Sequence, residues 1–172
     1  MTVIDGIRRY LAYKKQRQEV EFLLSAARIQ GCTVFTTLLD RFPQLRLIAE
    51  PDCLAEWDLL MFVANVGTAA FTSQCFRSRE QTKCILLALE HAMLRSGSLQ
   101  YRLYCDFYAS AHHAPDGVEP AMAIGRWFYD ALDKITSGKA RLECPGLNDE
   151  LVRATGGIVL VGFSNWWNPG NE

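Results

Sequence analysis

Residues 54–71 read LAEWDLLMFVANVGTAAF, and after a gap of six residues 78–97 read SREQTKCILLALEHAMLRSG. In the first stretch apolar residues run nearly all the way round a helix, and a helix with so little polar surface belongs at the centre of a fold. The second opens with Ser78-Arg79-Glu80-Gln81, a capping box in which the Ser and Gln side chains satisfy two orphan amides reciprocally. Gly97 closes it. Two long apolar helices in succession with a short connection are the sequence form of an αα-hairpin. The expected fold class is therefore mainly α: one helical bundle over 1–172, with helices at 54–72 and 79–96 in its centre.

Upstream, residues 4–30 read as one long helix. Tyr10, Tyr13, Arg17, Val20, Leu24 and Ala27 recur at spacings of three and four, which keeps them on one face. Gly31 is read as its stop. The stripe is shorter than the three or four heptads of a coiled coil, so the helix is expected to dock on the body or on a second copy of the chain. Residues 32–50 are ambiguous: Thr33–Leu39 suits a short helix or a β-branched strand, Pro43 breaks it, and Asp52 after Pro51 reads as the next N-cap.

Downstream, Leu99, Tyr101, Leu103, Cys105, Phe107, Ala109 and Ala111 alternate with more polar residues, as a strand would. Leu99, Leu103, Phe107 and Ala111 also fall four apart, and a strand of that length would be more than twice the usual five or six residues. Helix is the preferred reading, with Ser98 as its cap. Ala114–Gly117 is a turn by composition. The next helix carries Ile124, Trp127, Phe128, Ala131, Leu132 and Ile135 on one stripe, and Gly138 ends it. Beyond it, 140–144 and 157–163 are expected to form a small β element flanking a helix at about 148–155, with Gly156-Gly157 as a helix stop or turn. The alternative is α+β, with strands at about 32–38, 99–111, 140–144 and 158–163 in one antiparallel sheet.

The chain has 172 residues, 49% apolar and 22% charged, an ordinary globular composition. Lys and Arg outnumber Asp and Glu eight to five in 1–50 and trail them ten to fourteen in 51–172. So mild an asymmetry gives no strong nucleic-acid signal. Arg8, Arg9, Lys14, Lys15 and Arg17 still make a small basic patch, interrupted by Glu19 and Glu21. The six cysteines are widely spaced, with no CxxC pair, and are expected to be reduced, buried thiols. Residues 1–9 lack the apolar core of a signal peptide. The longest uninterrupted apolar run, Leu59–Ala64, is far below the roughly 20 residues of a membrane span. A cytoplasmic chain without a transmembrane segment is expected.

No GxSxG, GxxxxGK[ST] or GxGxxG stretch occurs. The best polar cluster is Asp106, His112, His113, Asp116 and Glu119, where imidazoles and carboxylates together suit a metal or a general acid–base pair. No established metal spacing is met, so no metal site is assigned and the cofactor is left open. The competing reading is an exposed loop beside a helix N-terminus capped by carboxylates. Glu90-His91 lies on a central helix, and His91 is expected to be partly buried. Asn65 inside an apolar helix needs a partner, either backbone or a ligand between helices. Trp127 is a further ligand-binding candidate. Trp166 and Trp167 are expected to pack on the body, cover a pocket or bury themselves against another subunit.

With amphipathic and aromatic surfaces plentiful and catalytic pairs missing, the expected function is a non-enzymatic binding or protein-interaction module. It is expected to be homodimeric through residues 1–30 or the Trp166-Trp167 tail. A protein or small molecule is the expected partner. The alternative is a small metal- or His/Asp-dependent enzyme with a site around His91, Asp106, His112 and Asp116.

Overall fold

A computed structural model describes residues 3–43, 45, 51–113, 117–136 and 149–168; side chains are described from residue 11 on, apart from 12, 32, 51 and 52. Among them are six helices and no strand: α1 (Val3–Arg41), α2 (Pro51–Phe76), α3 (Arg79–Ser96), α4 (Ser98–His112), α5 (Pro120–Ile135) and α6 (Asp149–Phe163). The molecule is a mainly α helical bundle.

The all-round apolar stretch takes the centre. On α2, Trp57, Leu60, Met61, Val63, Ala64, Val66 and Ala69 are fully buried, each large side chain contributing roughly 1.5–3 kcal/mol of transfer free energy. α1 runs antiparallel to α2. Asn65 Nδ2 donates to Ala27 O at 3.4 Å, Arg28 lies over the Phe62 ring, and Phe35 meets Trp57 edge-on at 5.1 Å. On its other side Trp57 meets Phe128 of α5 at 4.6 Å, so one indole joins three helices.

α3 starts as its sequence dictates. Gln81 N donates to Ser78 Oγ and Ser78 N to Gln81 Oε1, closing the capping box. α5 and α6 are antiparallel and meet backbone to backbone. A Cβ on Gly125 would strike the Val152 carbonyl, and one on Gly156 would strike the Ala121 carbonyl. Glycine at both positions permits that approach. The buried Tyr129 and Thr155 hydroxyls bond across the same seam at 3.0 Å. α6 also runs antiparallel to α1: Glu150 pairs with Arg41 at 2.6 Å, Gly162 faces Gln30, and Trp166 lies against Phe22.

Several expectations are corrected. α1 does not stop at Gly31 but continues to Arg41, because Val34, Phe35 and Leu38 extend its buried face along α2. Residues 32–38 are therefore helix. Residues 99–111 are helix, as the preferred reading has it, with Leu103 and Phe107 buried and Arg102 and Asp106 exposed, which removes the alternative strand there. Gly97 is the cap residue and Ser98 the first helical one. Asp52 sits inside the first turn of α2, which begins at Pro51. Residues 157–163 are the second half of α6, and Gly156-Gly157 stands mid-helix. The expected strand at 140–144 and the stop at Gly138 lie outside the described residues.

Two segments, Tyr13–Arg41 and Cys53–Phe76, are long and apolar enough to cross a membrane by length and composition, which counting uninterrupted apolar runs had missed. The second is 67% buried within the bundle, as the core helix of a globular fold is.

Candidate functional site

The polar candidates are distributed over three surfaces. Asp106 and His113 share a cleft of about 430 Å³ between α4 and α5, with Ser110, Arg126, Trp127 and Asp130 also on its walls. Asp106 Oδ2 accepts the Trp127 indole N–H at 3.0 Å, which fixes the carboxylate and satisfies an indole that is nearly buried. His113 Nδ1 lies 2.8 Å from Ala109 O, and since a carbonyl oxygen only accepts, the Nδ1–H donates to it. A catalytic triad instead directs that N–H to a carboxylate. Ser110, His113 and Asp106 share a wall without that arrangement.

His112, one residue away, leaves the cleft. Its ring stands edge-on to Tyr108 at 4.7 Å and to Phe71 at 5.1 Å. Asp116 lies outside the described residues. Glu119 accepts from Arg153 Nε at 2.8 Å, tying the start of α5 to α6 and holding the Arg153 guanidinium pKa above its usual value. His91 is exposed, not partly buried as expected, and lines a different groove between α1 and α3. Among the described residues no three His, Cys, Asp or Glu side chains could hold a metal ion.

A third hollow, about 260 Å³, lies between α3 and α4 and carries a tyrosine ladder: Tyr101, Tyr104 and Tyr108, with Leu86, Glu90 and Cys105. The Tyr101 hydroxyl donates to Glu90 Oε1 at 3.0 Å. Hydrogen bonds to Cys105 and then to Glu90 push its pKa up to about 12. Burial pushes Tyr104 up further, and Tyr108 in the same direction. All three phenols are neutral donors at ordinary pH.

The aromatic and amide candidates serve the core. Trp167 is buried, donates to Ala69 O at 2.6 Å, and has Arg77 over its ring. Trp166 is half-buried, stacked on Phe163 at 5.4 Å and tilted against Phe22 at 5.5 Å. Asn65 uses its amide N–H on α1, while its Oδ1 has no hydrogen-bond partner among the described residues.

The feature missed in the sequence is an apolar line on the outer side of α1. Leu11 (58%), Phe22 (69%) and Ile29 (71%) are exposed. Their spacings of eleven and seven place them within about 20° of one another on a helix. The antiparallel α6 brings Val161, 87% exposed, to the level of Ile29, with Trp166 beside Phe22. From Ala154 to Asn168 no residue is charged, so the α6 side of this face is neutral. The spacing was legible, but the stronger inner stripe drew the reading.

Compared with known family models, curated proteins and solved structures, the chain has no match.

Proposed function

We propose that the chain is a non-enzymatic protein-interaction module that works in the aqueous compartment as a homodimer, with the outer face of α1 and the end of α6 as its contact. The observation that carries this reading is the line Leu11–Phe22–Ile29 beside Val161 and Trp166. Four large apolar side chains more than half exposed on two adjacent helices are apolar surface of the kind that marks an interaction site. A two-fold pairing of two straight helices uses the same patch on both copies. Trp166, half-buried already, supplies an aromatic anchor of the kind that dominates such contacts.

Sedimentation velocity of the full chain in detergent-free buffer tests it. The wild type is expected to sediment as a dimer, and Phe22→Glu/Ile29→Glu as a monomer with an unchanged circular dichroism spectrum. A wild type that stays monomeric, or that dissolves only with detergent, overturns the reading.

The enzyme reading keeps one observation in its favour, the shared α4–α5 cleft of Asp106 and His113. Alanine at both His112 and His113 separates the two. A module retains its cellular activity, whereas an enzyme loses it without losing its fold.

A further inference from the structure

The groove that receives His91 has a chemistry of its own. It runs between α1 and α3, holds about 310 Å³, and continues into a second hollow of about 290 Å³. The two share Tyr13, Arg17 and Glu21 as walls, so they form one trough along α1. Its floor is apolar: Val20, Leu24, Ala88 and Ala92. On the α3 side Leu94 stands half-exposed on the wall, and Leu87, one heptad earlier on the same face, extends the apolar surface. Its rim is basic. Lys14, Arg17 and Arg95 line it against a single carboxylate, Glu21. That carboxylate is already held by Arg17 Nε at 3.1 Å. Among the described residues neither Lys14 nor Arg95 forms an ion pair.

We infer that this trough receives an amphipathic helix with acidic flanks from a partner protein. A channel between two helices with an apolar floor seats the ridge of a third helix, and the basic rim selects acidic flanks by charge complementarity. From Tyr13 to Leu24 the trough spans about 17 Å, three helical turns. A nucleic acid needs a run of phosphate contacts and has no use for Val20, Leu24 and Ala92 beneath them. A bilayer surface is flat and cannot enter a concavity. The floor of the trough lies on the side of α1 opposite Phe22, since Tyr13, Val20 and Leu24 point about 160–180° away from it at 100° per residue, whereas the rim residues Arg17, Glu21 and Lys14 stand about 140°, 100° and 80° from it. The apolar floor therefore remains open in the proposed dimer.

Two fluorescein-labelled synthetic helices, each about three turns long, test it by anisotropy with the full-length chain. Both carry Leu at i, i+3, i+4 and i+7; one has Glu at the flanking positions and the other Lys. The Glu peptide is expected to bind and the Lys peptide not. Arg17→Glu/Arg95→Glu is expected to weaken the Glu peptide by roughly tenfold or more and to admit the Lys peptide in its place. Leu94→Asp, an exposed site, provides a second loss should the charge reversal unfold the chain. Phe22→Glu/Ile29→Glu is expected to leave binding unchanged. Failure of the Glu peptide to bind, equal binding of both peptides, or equal competition by a single-stranded oligonucleotide or by phosphatidylserine vesicles would overturn the inference. So would release of monomers from a wild-type dimer by the peptide, because the trough would then be the dimer contact.

Discussion

Phe22 and Leu23 are adjacent on α1, as Gly156 and Gly157 are on α6, and in each pair one residue serves the bundle while the other leaves it. Leu23 is fully buried and Phe22 largely exposed. At Gly156 a Cβ would collide with the Ala121 carbonyl, whereas at Gly157 it would meet nothing within 4 Å. The inner sides of these helices are thus fixed by contact to the last methyl group. Their outer sides are apolar or bare although little packs on them, Phe22 keeping a single ring contact with Trp166. On a helix, neighbouring residues diverge by about 100°, so one step along the chain crosses from a region constrained by packing to one that packing leaves free.

Substitutions on the two sides should therefore differ in size and in sign. Leu23→Ala leaves a cavity on the inner side of α1 and is expected to cost about 2–5 kcal/mol in urea denaturation at equal chain concentration. A loss below 1 kcal/mol would mean that α1 is not docked as described. Gly156→Ala forces α5 and α6 apart and is expected to cost about 1–3 kcal/mol. The same seam should respond to alkali. Burial holds the Tyr129 phenol well above its ordinary pKa of 10.0, so its contribution is whole below pH 10 and is lost as pH rises through 10 toward the folded-state value. Thermal melts should fall above pH 10 as phenolate absorbance rises. Tyr129→Phe should start about 1 kcal/mol lower at pH 7 and fall less steeply. Gly157→Ala is the opposite case: a mid-helix glycine in open space, where alanine is expected to add about 0.5–1 kcal/mol. A loss there in the isolated monomer would place an unseen contact on the outer face of α6.

Legibility in the sequence follows the same division. Where a helix faces the core, its pattern is strong. The all-round apolar α2, the Ser78–Gln81 capping box and the Trp127–Phe128–Ala131–Leu132 stripe of α5 all stand in the structure as their spacing implies. Errors fall where a local signal competes with packing. Gly31 and Gly156-Gly157 look like stops, yet Val34, Phe35 and Leu38 hold α1 beyond the first, and the α5 contact requires the second. The β-branched run at 157–163 suits a strand until Val159 and Phe163, four apart, are buried on one side of a helix. The candidate polar site was least legible, because helix spacing separates neighbouring side chains without saying which surface receives each. His112 and His113 diverge into an aromatic cluster and a polar cleft, and His91 lies on a third surface.

The smallest expected effect bears most directly on function. Phe22→Ser and Ile29→Ser remove large side chains that the bundle hardly covers. In a protein held monomeric by dilution their cost is expected to stay within about 0.5 kcal/mol, as for surface positions without a cap, cavity or buried polar group. Phe22 retains one ring contact with Trp166, so it should be the costlier of the two. At higher concentration the comparison sharpens. If the outer face of α1 is covered by a second copy, wild-type stability rises with protein concentration while that of the double serine variant stays flat, because only a state that binds gains from mass action. Leu23→Ala, one residue from Phe22 but on the other side, should shift the whole curve down without changing that slope. Parallel slopes for wild type and the serine variant would leave Phe22 and Ile29 without a role in assembly.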